Sequence, residues 1–174
     1  MEERNIAYMF QNLYPDEDAD SAYEIDYQSY YDRGYRGILF DVDNTLVEHD
    51  QPVTIVAIAL FQKLKEIGFK TCIISNNKDE RVKPLADALE SDYVYKAGKP
   101  SAKGYLKGME QMGTTPETTF FIGDQIFTDI WGANRAHIHS ILVKQIAQHE
   151  EIQIVLKRYL EKIVLAGYHR KKTA

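Results

Sequence analysis

The stretch Arg36-Gly37-Ile38-Leu39-Phe40-Asp41-Val42-Asp43-Asn44-Thr45-Leu46 decides the fold of this chain. Its apolar first half is typical of a short strand buried in a parallel sheet, and the strand ends where the acidic residues begin. An apolar run followed by polar residues returns at 69–75, 93–95 and 119–123, and a last apolar run covers 138–143. We therefore predict five strands.

Helical segments separate these strands. The first predicted helix ends near Gly68, and others cover 79–89, 101–112 and the stretch up to 136. The apolar face of the first helix is expected to consist of Ile55, Ile58, Ala59, Phe61 and Leu64. Strands that alternate with helices predict a three-layer, Rossmann-like α/β fold, in which a parallel sheet carries helices on both faces. Ligands of such sheets bind at the carboxyl ends of the strands.

The bulk composition fits one soluble domain. The chain has 174 residues, a net charge of −5 and one cysteine, Cys72. This balance argues against nucleic-acid binding by charge, and the lone cysteine excludes an internal disulfide. Neither a signal peptide nor a membrane span is predicted. We expect a cytoplasmic domain over 1–174, with an N-terminal extension at 1–33 and a C-terminal helix and basic tail at 149–174.

The two terminal segments have weaker patterns. Apolar residues at helical spacing predict a short helix before Pro15, and the acidic run 16–20 is typical of a solvated turn. The C-terminal helix carries one apolar face, made of Ile152, Val155, Leu156, Tyr159, Leu160 and Ile163. That face can dock on the sheet or lie on a membrane surface beside the basic tail, and the sequence leaves both open.

The acids after the first strand are the first candidate site. Only one residue separates Asp41 from Asp43, so one carboxylate can attack phosphorus while the other carries the proton of the leaving oxygen. A calcium loop also begins with D-x-D, but it requires Gly and Glu where this chain has Leu46 and Pro52. Taken alone, the pair also fits two surface acids that cap a turn.

Polar residues after three later strands extend the site. Ser75 and Asn76 can donate hydrogen bonds to a phosphate oxygen, although a helix N-cap explains them as well. Lys99 suits a charge contact to a phosphate, and Asp124 and Asp129 offer the oxygen ligands that Mg²⁺ prefers. Polar clusters at four strand ends predict a single rim that performs phosphoryl transfer by positioning and charge neutralisation.

Together these motifs resemble the haloacid dehalogenase (HAD) superfamily of phosphohydrolases. The family pattern D-x-D-x-T occurs at Asp41, Asp43 and Thr45, and Ser75, Lys99 and the run G-D-x-x-x-T-D at 123–129 follow in the family's order. The residues that surround these motifs look most like those of the YqeG type of subfamily IIIA, a group that is similar to the mitochondrial phosphatidylglycerophosphate phosphatases.

The resemblance implies a role for each residue. Asp41 would form an aspartyl-phosphate. Asp43 would protonate the leaving group, activate water and lend its backbone carbonyl to the metal. Ser75, Asn76 and Lys99 would hold the phosphoryl oxygens. The ligands of Mg²⁺ would be Asp41, Asp43, Asp124 and Asp129, the last of them directly or through water.

The connections between the motifs are too short for the family's cap domains, so the resemblance implies a capless (C0) fold with an open rim. An open rim suits a phosphorylated small molecule or a lipid head group, and phosphatidylglycerophosphate is the first substrate hypothesis. The alternatives are a phosphatase for a soluble sugar phosphate, nucleotide or phosphoprotein, and a Mg²⁺-dependent binding protein without turnover. We predict no nucleic-acid partner. Peripheral membrane contact and a homo-oligomer that closes the rim are both compatible with the open site.

Overall fold

The computed structural model describes residues 10–147, 160–166 and 168. Six strands form one open sheet: β1 (Glu17–Ala19), β2 (Gly37–Phe40), β3 (Lys70–Ile74), β4 (Asp92–Val94), β5 (Thr119–Gly123) and β6 (His139–Val143). Their order across the sheet is β1-β6-β5-β2-β3-β4, and every pairing is parallel. The chain runs outward from β2 to β4 and then returns to β5 on the other side of β2. The strand order therefore reverses between β2 and β5, which is where α/β sheets bind ligands.

Helices pack on both faces of the sheet. The first face carries α1 (Tyr27–Asp32), α2 (Ile55–Ile67) and α3 (Asp79–Leu89), and the second carries α4 (Lys103–Met112) and α5 (Trp131–Arg135). Successive strand residues alternate between the two cores, so Phe40 and Phe120 pack with the first group of helices, while Leu39 and Phe121 pack with the second. The predicted three-layer α/β fold is confirmed. Cys72 is buried in the second core, as expected of a small apolar residue.

Helix α2 ends where the sequence predicted but faces the sheet differently. Gly68 follows its last turn with a φ of 111°, a conformation that suits a residue without Cβ. The buried face consists of Ala57, Leu60, Phe61 and Leu64. The predicted members Ile55, Ile58 and Ala59 are instead exposed, the first two at 84% and 42%. The first two turns are apolar all round, so periodicity alone did not identify the buried side.

The N-terminal extension contains structure that the sequence did not predict. The acidic run expected to be a solvated turn contains β1, which pairs with β6 in parallel. The exposed edge of β6 supplies the partner, and Asp16 fixes the start of the strand by accepting the backbone N–H of Ser140 at 2.8 Å. Pairing with a neighbour therefore outweighs the low strand propensity of acidic residues. The helix predicted before Pro15 is a 3₁₀ turn over Gln11–Leu13.

The C-terminal segment is helical over 160–166, and the remaining part of the predicted helix and the basic tail lie outside the described residues. Within 160–166 the members of the predicted apolar face do not dock on the sheet. Leu160 and Ile163 are 48% and 57% exposed, whereas Val164 is buried and packs with Leu13 and Ile126. Among the described residues, no helix has the length and apolar character that crossing a membrane requires.

Candidate active site

A tight turn after β2 carries the two acids of the first motif. The backbone N–H of Asp41 continues the pairing with β5 by donating to the carbonyl of Ile122 at 2.9 Å. The carbonyl of Val42 then accepts the N–H groups of Thr45 and Leu46 at 3.1 and 2.9 Å, which folds the chain back beneath Asp41. The turn therefore places the hydroxyl of Thr45 beside the Asp41 carboxylate.

Lys99 lies at the centre of the site. Its Nζ donates to Oδ1 of Asp41 and to Oδ1 of Asp129, both at 2.6 Å, and all three residues are buried. The carboxamide of Asn76 holds the backbone of Lys99, because its Oδ1 accepts the Lys99 N–H at 2.8 Å and its Nδ2 donates to the Lys99 carbonyl at 3.1 Å. Asn76 thus fixes the lysine in place, and its direct contact with phosphate stays a prediction.

The carboxylate of Asp124 occupies the other side of Asp41. Thr45 Oγ1 lies 3.4 Å from Oδ2 of Asp41 and 3.1 Å from Oδ1 of Asp124, so one hydroxyl joins the ends of β2 and β5. Nε2 of Gln145, which follows β6, donates to Oδ2 of Asp124 at 2.7 Å. Behind the site, a Cβ at Gly123 would lie 2.6 Å from Oδ2 of Asp129, so the close packing of that carboxylate requires glycine there.

Asp43 points into a separate set of donors. Its Oδ2 accepts from Nδ2 of Asn77 at 2.7 Å, and its Oδ1 accepts from Nη2 of Arg81 at 2.7 Å and from the backbone N–H of Asp50 at 3.1 Å. Nearby, the buried hydroxyl oxygen of Ser75 accepts the N–H of Asn77 at 3.2 Å, which leaves its own O–H to donate.

Burial and like charges dominate the electrostatics of the site. Burial, followed by the charge of Asp129, raises the pKa of Asp41 to about 6, although Lys99 opposes this shift. Burial and the charge of Asp41 raise the pKa of Asp124 as well. Burial disfavours the ammonium of Lys99, but the carboxylates of Asp129 and Asp41 outweigh it and hold the lysine pKa above its usual range. The site therefore carries more negative charge than its single lysine compensates.

These residues fit a divalent cation. Asp41, Asp124 and Asp129 each offer a carboxylate oxygen, and these oxygens lie within 4.8 Å of one another. Two buried carboxamide oxygens on neighbouring segments have no hydrogen-bond partner in the described part of the chain: Oδ1 of Asn44, in the turn after β2, and Oε1 of Gln145, whose Nε2 donates to Asp124. Such atoms suit the water shell that Mg²⁺ retains in proteins. The Asp43 carboxylate is directed away to Arg81, so its predicted share in the metal site concerns its backbone carbonyl.

The structure brings all predicted site residues to the carboxyl edge of the sheet: Asp41, Asp43, Ser75, Asn76, Lys99, Asp124 and Asp129. Sequence reasoning missed Arg81 and Gln145, which contact these residues from α3 and from the segment after β6. The sequence could have pointed to Arg81, because it is a charged residue early in a helix that follows a strand end. No feature of the sequence pointed to Gln145.

A doubly wound parallel sheet that places an acidic elbow, a buried lysine and further acids at its switch point defines a hydrolase of the haloacid dehalogenase type. Residues 48–137 match the model of the haloacid dehalogenase-like hydrolase family. The chain belongs to this family, and it is a phosphatase. It is 37% identical to "Probable phosphatase YqeG" of Bacillus subtilis over 158 residues, which cover 90% of this chain and 92% of that protein.

Solved structures share the fold. A HAD phosphatase from Thermococcus onnurineus superposes with a TM-score of 0.54 at 14% identity, over 67% of this chain and 90% of that one. The cobalt-bound deoxy-D-mannose-octulosonate 8-phosphate phosphatase of Haemophilus influenzae gives a TM-score of 0.53 at 15% identity, over 63% of this chain and 66% of that one. Membership of the family favours an enzyme over the alternative of a binding protein without turnover.

Proposed function

We propose that this chain is a Mg²⁺-dependent phosphomonoester hydrolase that works through an aspartyl-phosphate on Asp41. The observation that carries the proposal is the Lys99 ammonium bonded to both Asp41 and Asp129 at 2.6 Å. This contact fixes one oxygen of Asp41 and leaves Oδ2, which the Thr45 hydroxyl approaches only at 3.4 Å, to act as the nucleophile. A pKa of about 6 leaves Asp41 mostly ionised at neutral pH.

In the first step Asp41 attacks phosphorus, and the bond from phosphorus to the ester oxygen breaks. Asp43 donates its proton to the leaving oxygen, so the alcohol departs neutral. The O–H of Ser75 and the ammonium of Lys99 bind the phosphoryl oxygens as charge develops on them. Asp41, Asp124 and Asp129, with the backbone carbonyl of Asp43, would hold Mg²⁺, which neutralises phosphoryl charge when bound.

In the second step the Asp43 carboxylate takes a proton from water, and the resulting hydroxide attacks phosphorus. The bond between phosphorus and Asp41 breaks, which releases inorganic phosphate and restores the Asp41 carboxylate. Asp43 is then protonated for the next cycle. Its hydrogen bonds from Asn77 and Arg81 fix its direction throughout.

Phosphatidylglycerophosphate is the substrate that we propose first. The connections from β2 to β3 and from β3 to β4 carry only α2 and α3, so the rim has space for a bulky head group. Exposed apolar side chains lie near the same edge: Ile55 and Val56 at the start of α2 are 84% and 61% exposed, and Ile146 after β6 is 43% exposed. These side chains support a peripheral contact with lipid. A soluble sugar phosphate, nucleotide or phosphoprotein is the second candidate, which the open rim also accommodates.

Hydrolysis of an aryl phosphate with and without Mg²⁺ tests the chemistry. Asp41→Asn should lose Mg²⁺-dependent activity, and an acid-quenched reaction of the wild type should show one added phosphate per chain, absent from the variant. The surface variant Asp87→Asn serves as the control. Undiminished turnover by Asp41→Asn would refute the role of Asp41. Turnover of soluble phosphates together with inactivity toward the lipid phosphate in mixed micelles would remove the lipid hypothesis alone.

A further inference from the structure

Arg81 lies at the open side of the catalytic acid. It belongs to the first turn of α3, and its Nη2 donates to Oδ1 of Asp43 at 2.7 Å. The side chain keeps 22% of its surface exposed, whereas that of Lys99 keeps 4%. Of these two cations, Arg81 is therefore the one that borders solvent. It lies beside Asp43, the proton carrier.

The hydrogen-bonding capacity of Arg81 is only partly used. A guanidinium has five N–H donors, and the bond to Asp43 uses Nη2. The Nε atom is buried and has no hydrogen-bond partner among the described residues, with Oδ1 of Asp50 at 3.9 Å. The Asp50 side chain is 70% exposed, so it is free to turn into solvent when another anion approaches. A buried donor without a partner is unfavourable, and a ligand that accepts from it gains affinity.

We propose that Arg81 recognises a second anionic phosphate carried by the alcohol that leaves, so that the preferred substrates are phosphomonoesters of alcohols that are themselves phosphorylated. The inference rests on the proposed function, in which Asp43 protonates the leaving oxygen.

The position of Arg81 follows from that role. The leaving oxygen must come within hydrogen-bond distance of Asp43. A phosphate a few bonds beyond that oxygen then reaches the guanidinium, which already contacts the same carboxylate. Arginine binds phosphate through two parallel N–H donors, a geometry that lysine cannot reproduce. A neutral alcohol such as glycerol leaves these donors unpaired, so Arg81 discriminates between leaving groups.

The test compares glycerol monophosphate with glycerol bisphosphate, which differ in the charge of the alcohol that departs. Wild-type kcat/KM should favour the bisphosphate by on the order of 10- to 100-fold, the value of a charged hydrogen bond. In Arg81→Gln the preference should fall to about onefold. Loss of the bond to Asp43 should lower kcat for both substrates alike, and the additional loss for the bisphosphate should appear in KM because the contact with its second phosphate is made equally before and during the reaction. Arg81→Lys should restore part of the preference through its charge. Lys83→Gln, on the same helix but ion-paired with Asp87 at 2.7 Å, should retain it.

The outcomes separate the inference from the proposed function. If Arg81→Gln lowers kcat/KM equally for both substrates, Arg81 only positions Asp43 and the inference is wrong, as it is if the wild type shows no preference. An absence of Mg²⁺-dependent hydrolysis of any phosphomonoester would overturn the proposed function as well. A third substrate, the phosphodiester glycerophosphoglycerol phosphate, distinguishes the source of the second anion. Higher kcat/KM for this diester identifies a lipid head group, and higher kcat/KM for the bisphosphate identifies a soluble ligand.

Discussion

Replacing Asp41 by asparagine should stabilise the metal-free protein, and the gain should grow with pH. Burial and the charge of Asp129 raise the pKa of Asp41 from 3.8 to about 6 in the folded state. Unfolding returns the carboxyl group to its ordinary pKa, so the folded state binds this proton more tightly. The stability that Asp41 contributes is thus fully present below its unfolded pKa and is lost as the pH rises through about 6.

The pKa shift of Asp41 sets the size of the effect. A rise from 3.8 to about 6 corresponds to about 3 kcal/mol between the acidic and alkaline limits, and roughly half of it falls between about pH 5 and pH 8. Asparagine does not ionise. Between about pH 5 and pH 8 the free energy of unfolding of Asp41→Asn should therefore rise relative to wild type by roughly half of the full 3 kcal/mol. The charge of Asp41 also helps to raise the pKa of Asp124, so its removal favours folding there too.

Urea unfolding in the presence of a chelator measures this difference. The transition can be followed by circular dichroism and by the fluorescence of Trp131, the only tryptophan. Both proteins are compared at several pH values between about 5 and 8. Asp87→Asn, which loses an exposed carboxylate in the last turn of α3, controls for the general effect of charge. A difference between Asp41→Asn and wild type that is constant with pH, or that shrinks as pH rises, would show that the buried carboxylates do not oppose one another as argued.

Two further substitutions test the neighbours of this cluster. Gln145→Leu removes the 2.7 Å bond that orients Asp124, so calorimetry should show Mg²⁺ binding weakened by roughly tenfold or more; unchanged affinity would contradict a role for this carboxamide near the metal. Lys99→Met leaves Asp41 and Asp129 buried without their ammonium partner. The free energy of unfolding at neutral pH should therefore fall by about 3–5 kcal/mol. Equal urea midpoints for variant and wild type would contradict this role of Lys99.

The positions of the main site residues were predictable from sequence because topology dictates them. Each apolar run ends in a polar residue, and parallel strands bring those ends to one edge of the sheet. Asp41, Lys99 and Asp124 therefore meet although they are far apart in the chain. The sequence motifs also indicated their chemistry, since acids and a lysine at one edge are suited to phosphoryl transfer.

The contacts that orient these residues were not predictable in the same way. The bond from Gln145 to Asp124 depends on β6 lying beside β5, which the strand pattern does not specify. The bond from Arg81 to Asp43 depends on the rotation of α3 about its axis. Similarly, β1 forms because β6 offers an unpaired edge, and an acidic run gives no local signal of that partner. In each case the missing information concerns how two elements are placed or oriented relative to one another.

The charge count of the site connects its stability with its chemistry. Asp41, Asp124 and Asp129 lie in one buried cluster with the single ammonium of Lys99. With all four groups ionised, two negative charges remain uncompensated, and one divalent cation balances them. The same excess raises the pKa values of Asp41 and Asp124 and opposes folding at neutral pH when the metal is absent. Lys99 limits this cost through its two ion pairs while it fixes the direction of the nucleophile, and the negative charge that remains favours the binding of a divalent cation.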